Sequence, residues 1–197
     1  MDMRTEAEIY KRIGECPFVP KLIDWDPESC NLTLEYLENG NLYVFLKSSA
    51  STCSEMQRRW ILQAGSAVSA LHTADVIHCD VTPRNLLLNG SLDLHIADFA
   101  SSSIGGPKST IAAVARFQPP GWSWHPPAKA ADDVFALGSV MYFIMTGEEP
   151  YPGLPEENVE KLLQEKKFPQ VSHLVCGAVS KAAGMGALKP QKKSSIV

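Results

Sequence analysis

Apolar residues along the chain repeat with two different periods, and the period changes from segment to segment. Glu6, Ile9, Tyr10 and Ile13 recur with helical spacing, which predicts a short amphipathic helix over residues 5–13. Gly14 should end it, and the prolines of "ECPFVPKLIDW" then interrupt regular structure. "NLTLEYLE" (31–38) alternates apolar and polar residues like a half-buried strand, closed by a turn at Asn39-Gly40. Ser54, with Gln57 three residues on, suggests a capping box opening a long helix. That helix would carry Trp60, Ile61, Ala64, Val68 and Leu71 on one broad face.

Short strands are predicted at Val76-Ile77, Leu86–Leu88 and 92–99, followed by a Ser-, Gly- and Pro-rich loop from about 100 to 131. Residues 133–146 are apolar all round, so they should form a helix buried at the centre of a domain. "EENVEKLLQEKKFP" (156–169) reads as a last amphipathic helix, acids first and lysines last, matching the helix dipole. From about 177 the chain is small, basic and Gly-containing, and disorder is expected there. There is no internal repeat.

Composition narrows the class. The 197 residues are enough for one domain or two small lobes, with 45% hydrophobic and 20% charged residues as in an ordinary globular protein. A net charge of −4 argues against a nucleic-acid partner, which would favour a basic face. Cys16, Cys30, Cys53, Cys79 and Cys176 show no CxxC spacing, which fits reduced thiols. The charged start "MDMRTEAEIYKR" is unlike a signal peptide, and "VFALGSVMYFIM" is about half a membrane span. A soluble, cytoplasmic chain without a membrane partner is expected.

Candidate chemistry concentrates in "VIHCDVTPRNLLLN" (76–89), where an acid and an amide stand five residues apart beside a histidine. A metal centre, a hydrolytic or phosphoryl-transfer site and a polar turn are the three readings. His72, His78 and Cys79 follow no zinc spacing, and no GxSxG elbow offers a nucleophilic serine. Phosphoryl transfer needs a carboxylate to orient the hydroxyl and oxygen ligands for Mg²⁺. Asp80 suits the first role, and Asn85 with Asp98 in "IADFA" suits the second.

HxDxxxxN, an apolar strand and then Asp98-Phe99 resemble the catalytic and metal-binding loops of the protein kinase family. "DDVFALGSVMYFIMTGEEPYPG" is similar to that family's central buried helix, with Asp133 and Gly138 on the motif. "LEYLENGNLYVFL" resembles its hinge, and "RFQPPG" (116–121) the end of its activation segment. The resemblance implies an α+β, protein kinase-like fold. Residues 1–38 would be a partial N-lobe with helix C and the strands to the hinge, 39–176 the C-lobe, and 177–197 a divergent tail.

It also implies roles. Asp80 would be the base or orienter, Arg84 would steady the transferring phosphate, and Asn85 and Asp98 would hold Mg²⁺. Leu34 at the gatekeeper position, the hinge residues Glu35, Tyr36 and Leu37, and Leu87 beneath the adenine would bind ATP together with Asp98. Glu6 (or Glu8), His78, Phe99 and Asp133 would give structural support. The substrate would be a protein Ser/Thr or Tyr hydroxyl; no oligomeric state is implied.

The chain departs from the pattern in four places. It begins at the helix carrying the family glutamate and contains no GxGxxG run or VAIK-type lysine. "HCD" stands for HRD, "DFA" for DFG, and Gly121 for the APE glutamate, whose arginine partner is expected to be missing too. Thr82 and Val114 stand where Ser/Thr kinases carry lysine and threonine, whereas Arg84 resembles the tyrosine-kinase arrangement. A pseudokinase or fragment serving as a binding module is therefore the alternative to a transferase.

Overall fold

The computed structural model describes residues 3–48, 52–105, 114–122 and 127–171. The tail expected beyond 177, and parts of the loop expected over 100–131, lie outside these residues. The first helix, α1 (Met3–Ile13), begins two residues before the sequence pattern suggests and turns Glu6, Ala7, Ile9 and Tyr10 inward. Glu8 stays exposed, so Glu6 is the acid on the packing face.

An antiparallel hairpin follows, β1 (Leu22–Asp26) and β2 (Asn31–Leu34), running from Leu22↔Leu34 to Asp26↔Asn31. Its turn is held by the Asp26 carboxylate, which accepts from the Glu28 and Ser29 amides. The strand expected over 31–38 stops at Leu34. After one more backbone bond, from the Glu35 N–H to the Lys21 carbonyl, the chain leaves the hairpin and runs to α2 (Leu42–Ser48).

Two long helices form the centre. In α3 (Ser54–Thr73), Trp60, Ile61, Ala64, Ala67, Val68 and Leu71 are buried. They share one core with Ala136, Leu137, Val140, Met141 and Ile144 of α4 (Ala130–Thr146). The apolar circumference of α4 makes it the central post, as its sequence predicts, although it starts three residues earlier. Gly147 ends it at φ 73°, a left-handed turn suited to glycine, with its N–H on the Phe143 carbonyl.

The capping box expected from Ser54 and Gln57 does not form. Cys53 is the N-cap without a side-chain bond, and the Gln57 side-chain amide donates both to the Ile144 carbonyl of α4 at 3.0 Å and to Thr52 Oγ1 at 3.5 Å.

Short strands pair beside this core: β3 (Val76–Ile77) with β6 (Ser103–Ile104), and β4 (Leu86–Leu88) with β5 (Leu94–Ile96), all antiparallel. β5 occupies only the middle of the strand expected over 92–99. Asp98 caps a 3-10 turn at Phe99–Ser101, and a second such turn spans Ala115–Phe117. The last helix, α5 (Glu156–Gln164), ends before Lys166 and Lys167, which follow the helix rather than forming its basic last turn. It packs through a separate small cluster: Ala115, Phe135, Val159 and Leu163, with Tyr151 and Phe168 against it.

Candidate active site

Residues 78–85 leave β3 as an irregular loop, and its backbone polar groups need partners inside the protein. Asp133 of α4, 2% exposed, supplies them. Its Oδ2 accepts the His78 N–H at 2.8 Å and its Oδ1 accepts the Cys79 N–H at 2.9 Å. His72 at the end of α3 adds a contact from Nε2 to Oδ2 at 2.9 Å. Cys79 is held at φ 67°, a strained value for a residue with a side chain.

The His78 ring is fully buried. The Asp80 N–H points at Nδ1 (3.2 Å), so Nδ1 accepts, and Nε2 carries the proton towards the Ala97 carbonyl (3.1 Å). One imidazole thus ties the start of the 78–85 loop to the strand end that carries Asp98.

Asn85 fixes Asp80. Its Nδ2 donates both to the Asp80 backbone carbonyl (2.9 Å) and to Oδ2 (2.8 Å). Burial raises the Asp80 pKa, the Asn85 hydrogen bond opposes that shift, and the negative charge of Asp98 adds to it. The two carboxylates are therefore within electrostatic reach of each other. The Asn85 carbonyl accepts the Ala97 N–H at 2.9 Å, which brings the loop against the end of β5. There Asp98 sits at φ 66°, exposed, with Oδ1 accepting the Ala100 N–H.

With Nδ2 engaged twice, Asn85 has its side-chain Oδ1 to offer, alongside the Asp98 carboxylate. Both donors are hard oxygens, the chemistry Mg²⁺ selects. Among the described residues no group of three or more His, Cys, Asp or Glu could hold a metal ion.

Above this pair stands a column of rings. Tyr10 meets Phe99 edge-on at 4.9 Å, and Phe99 meets His78 at 5.5 Å. The Glu6 carboxylate accepts the Phe99 N–H at 3.3 Å, and burial raises its pKa. Among the described residues Glu6 forms no ion pair. The Phe99 neighbourhood thus links α1 to the catalytic loop.

At the hinge, the Glu35 N–H bonds the Lys21 carbonyl, and its carboxylate accepts the Lys21 N–H. Tyr36 is 80% exposed, whereas Leu37 is buried. The backbone then pairs with β4, through Asn39 N–H to the Leu88 carbonyl and Leu88 N–H to the Gly40 carbonyl. Leu86 and Leu88 point into the core, so the intervening, half-buried Leu87 points the other way, next to the hinge. Leu34 is half-buried at the end of β2.

Arg84, expected to steady a phosphate, contacts Glu149 and Tyr43. Its Nη1 bonds Glu149 Oε1 at 2.9 Å, and its guanidinium lies 3.8 Å above the Tyr43 ring. Tyr43 in turn stacks on Phe143 at 5.5 Å. A cation of the 78–85 loop is thus clamped between α2 and the loop after α4. Sequence reasoning placed Tyr10 on a helix face and weighed His72 only as a metal ligand, and it did not single out Tyr43 or Glu149. Tyr10 had a helical-face signal, but the other three owe their positions to tertiary contacts.

The Protein kinase domain family matches residues 1–188, and the chain belongs to that family. Human 3-phosphoinositide-dependent protein kinase 1 is 27% identical over 185 residues, 86% of this chain and 33% of that protein. The Aurora/IPL1-related protein kinase 2 of Caenorhabditis briggsae is 24% identical over 198 residues, 98% of this chain and 65% of its own length. A mouse protein named inactive serine/threonine-protein kinase PLK5 is 24% identical over 175 residues, 87% of this chain and 29% of that one. The chain spans about a third of the length of the first of these relatives. Its α+β fold is that of a protein kinase. No described helix is long and apolar enough to cross a membrane.

Proposed function

We propose that this domain transfers the γ-phosphate of ATP to a hydroxyl of a protein substrate. The observation that carries the reading is the double hydrogen bond from Asn85 to Asp80, which fixes the carboxylate and leaves the amide oxygen for a cation. Asp80 orients the acceptor hydroxyl and takes its proton as the oxygen attacks the γ-phosphorus and ADP departs. Asn85 and Asp98 are the residues that would hold Mg²⁺, which neutralises phosphate charge when bound. The hinge from Leu34 to Leu37 and the outward Leu87 receive the adenine. Glu6, His78, Phe99 and Asp133 keep these parts in register.

The test is phosphate transfer from labelled ATP to Ser-, Thr- and Tyr-containing peptides, with Asp80→Asn as control. Transfer abolished by that substitution supports the reading and assigns the hydroxyl class. Equal transfer by both proteins would end it.

A second reading, a binding module on the same scaffold, is favoured by one observation. The Glu6 carboxylate is directed to the Phe99 backbone instead of pairing with a described cation. Nucleotide binding without Asp80-dependent transfer is the outcome that separates it from the first.

A further inference from the structure

The family's APE glutamate is replaced by Gly121, so the end of the activation segment needs another anchor. The structure supplies one, five residues earlier and from the opposite charge. Arg116 is 9% exposed in the turn Ala115–Phe117, and its Nη1 pairs with Glu156 in the first turn of α5. Its Nη2 donates to the Leu154 carbonyl and, at 3.4 Å, to the Tyr151 carbonyl.

The surrounding bonds run the same way. The second oxygen of Glu156 accepts the Ala115 N–H at 3.0 Å, and the Arg116 carbonyl accepts the buried Ser139 hydroxyl of α4 at 2.7 Å. A buried guanidinium is costly unless its donors are met, and here three acceptors from one loop-helix junction meet them. Phe117, 2% exposed, then fills the main core beside this junction.

We propose that Arg116 and Glu156 form the anchor that positions the end of the activation segment, holding it to α5 and α4 in place of the missing glutamate. Arg116 is a positioning residue, since it acts on the segment and not on reacting atoms. The segment next to the site would then be set by α5, a helix attached mainly through the small Ala115–Phe135–Val159–Leu163 cluster. A disturbance of α5 would reach the substrate-facing segment before it reached the central core.

The functional part of this inference rests on the protein kinase reading above; the structural part does not. Glu156→Gln leaves the guanidinium without its counter-ion, and Arg116→Met keeps the apolar stem without the charge. Amide hydrogen exchange is compared at Ala115–Gln118 and in the interior of α4, at Val140 and Phe143. Both variants should speed exchange at Ala115–Gln118 by about tenfold or more and leave α4 within about twofold. Glu156→Asp, which keeps the charge, should fall between them and the parent chain. In the transfer assay, KM for the peptide should rise while KM for ATP stays unchanged.

Unchanged exchange at Ala115–Gln118, or a rise spread evenly through α4, would overturn the anchor. If exchange changes locally and Asp80-dependent transfer is absent from every variant, the anchor stands and the kinase reading falls. If transfer is present and the KM for peptide does not move, the anchor holds the segment but does not position substrate, and the proposal is wrong.

Discussion

His72 and Asp133 meet Nε2 to Oδ2 at 2.9 Å although 61 residues separate them. The contact joins the end of α3 to the carboxylate that also accepts the His78 and Cys79 amides, so three donors converge on one buried acid. Removing the acid should cost more than removing any one donor. Asp133→Ala leaves two loop amides without their acceptor and should destabilise by about 3–5 kcal/mol. His72→Ala should cost about 1–2 kcal/mol. Denaturant unfolding of both variants checks the order, and a His72 variant less stable than the Asp133 variant would contradict the assignment of Asp133 as the hub.

Asp80 offers a pH test that does not depend on turnover. Its carboxyl pKa lies above the ordinary 3.8, with burial as the main cause. The folded state therefore holds this proton more tightly than the unfolded chain does. Stability must fall as pH rises from the ordinary carboxylate value through the raised one. Asp80→Asn removes this cost and should be more stable than the parent at pH 7, by about 1 kcal/mol or less. The difference should vanish below pH ~4. Thermal unfolding of both proteins across pH supplies the comparison; a less stable variant at pH 7 would refute it.

Tyr10 gives a contrast between two substitutions at one position. Its hydroxyl is buried and finds no hydrogen-bond partner among the described residues, while its ring packs on Phe99. Tyr10→Phe should leave stability unchanged or raise it by about 1 kcal/mol, because it deletes an unsatisfied group. Tyr10→Ala should cost about 3–5 kcal/mol through the lost ring. Equal losses in the two variants would show that the hydroxyl has a partner after all.

On the proposed reading, residues 34–37 with Leu87 would receive adenine and Asn85 with Asp98 would supply two oxygen donors, while the 197 residues contain no GxGxxG run. Isothermal titration of this chain should show weak ATP binding that strengthens with Mg²⁺. Asn85→Ala and Asp98→Ala should abolish the Mg²⁺ effect. Replacing Leu87 with Trp should block binding with or without the cation. Transfer should be slow, since losing fixed alignment of reacting groups costs roughly a thousandfold or more in rate. Robust transfer by this chain, lost in Asp80→Asn, would prove that alignment does not require such a lid.

Elements with a long, clean apolar period were legible in the sequence: α1, α3 and α4 lie where their spacing puts them, within about three residues. The inward helix face carrying Glu6 and the place of Asp133 in α4 also followed from spacing and motif order. Legibility ended where a side chain had a choice of partner. Gln57 donates to a carbonyl of α4 as well as to Thr52 beside its own helix. Arg84 sits on the expected loop, yet Tyr43 and Glu149 decide where its charge goes. The Arg116–Glu156 pair joins two stretches that sequence spacing does not connect. Such contacts depend on how α4 and α5 pack together, which periodicity alone does not specify.

The grip of Asp133 on the loop at His78 and Cys79 has a consequence for which mutations that loop can absorb. It holds peptide N–H groups and does not read the side chain at position 79. Loop shape is thereby insulated from the identity of that residue, and cysteine can stand in the arginine position with the same two backbone bonds in place. The loop backbone behaves like a cast poured around α4, while the side chains mounted on it are replaceable. A family member can thus exchange the residues that respond to a signal and still present its aspartate at the same address.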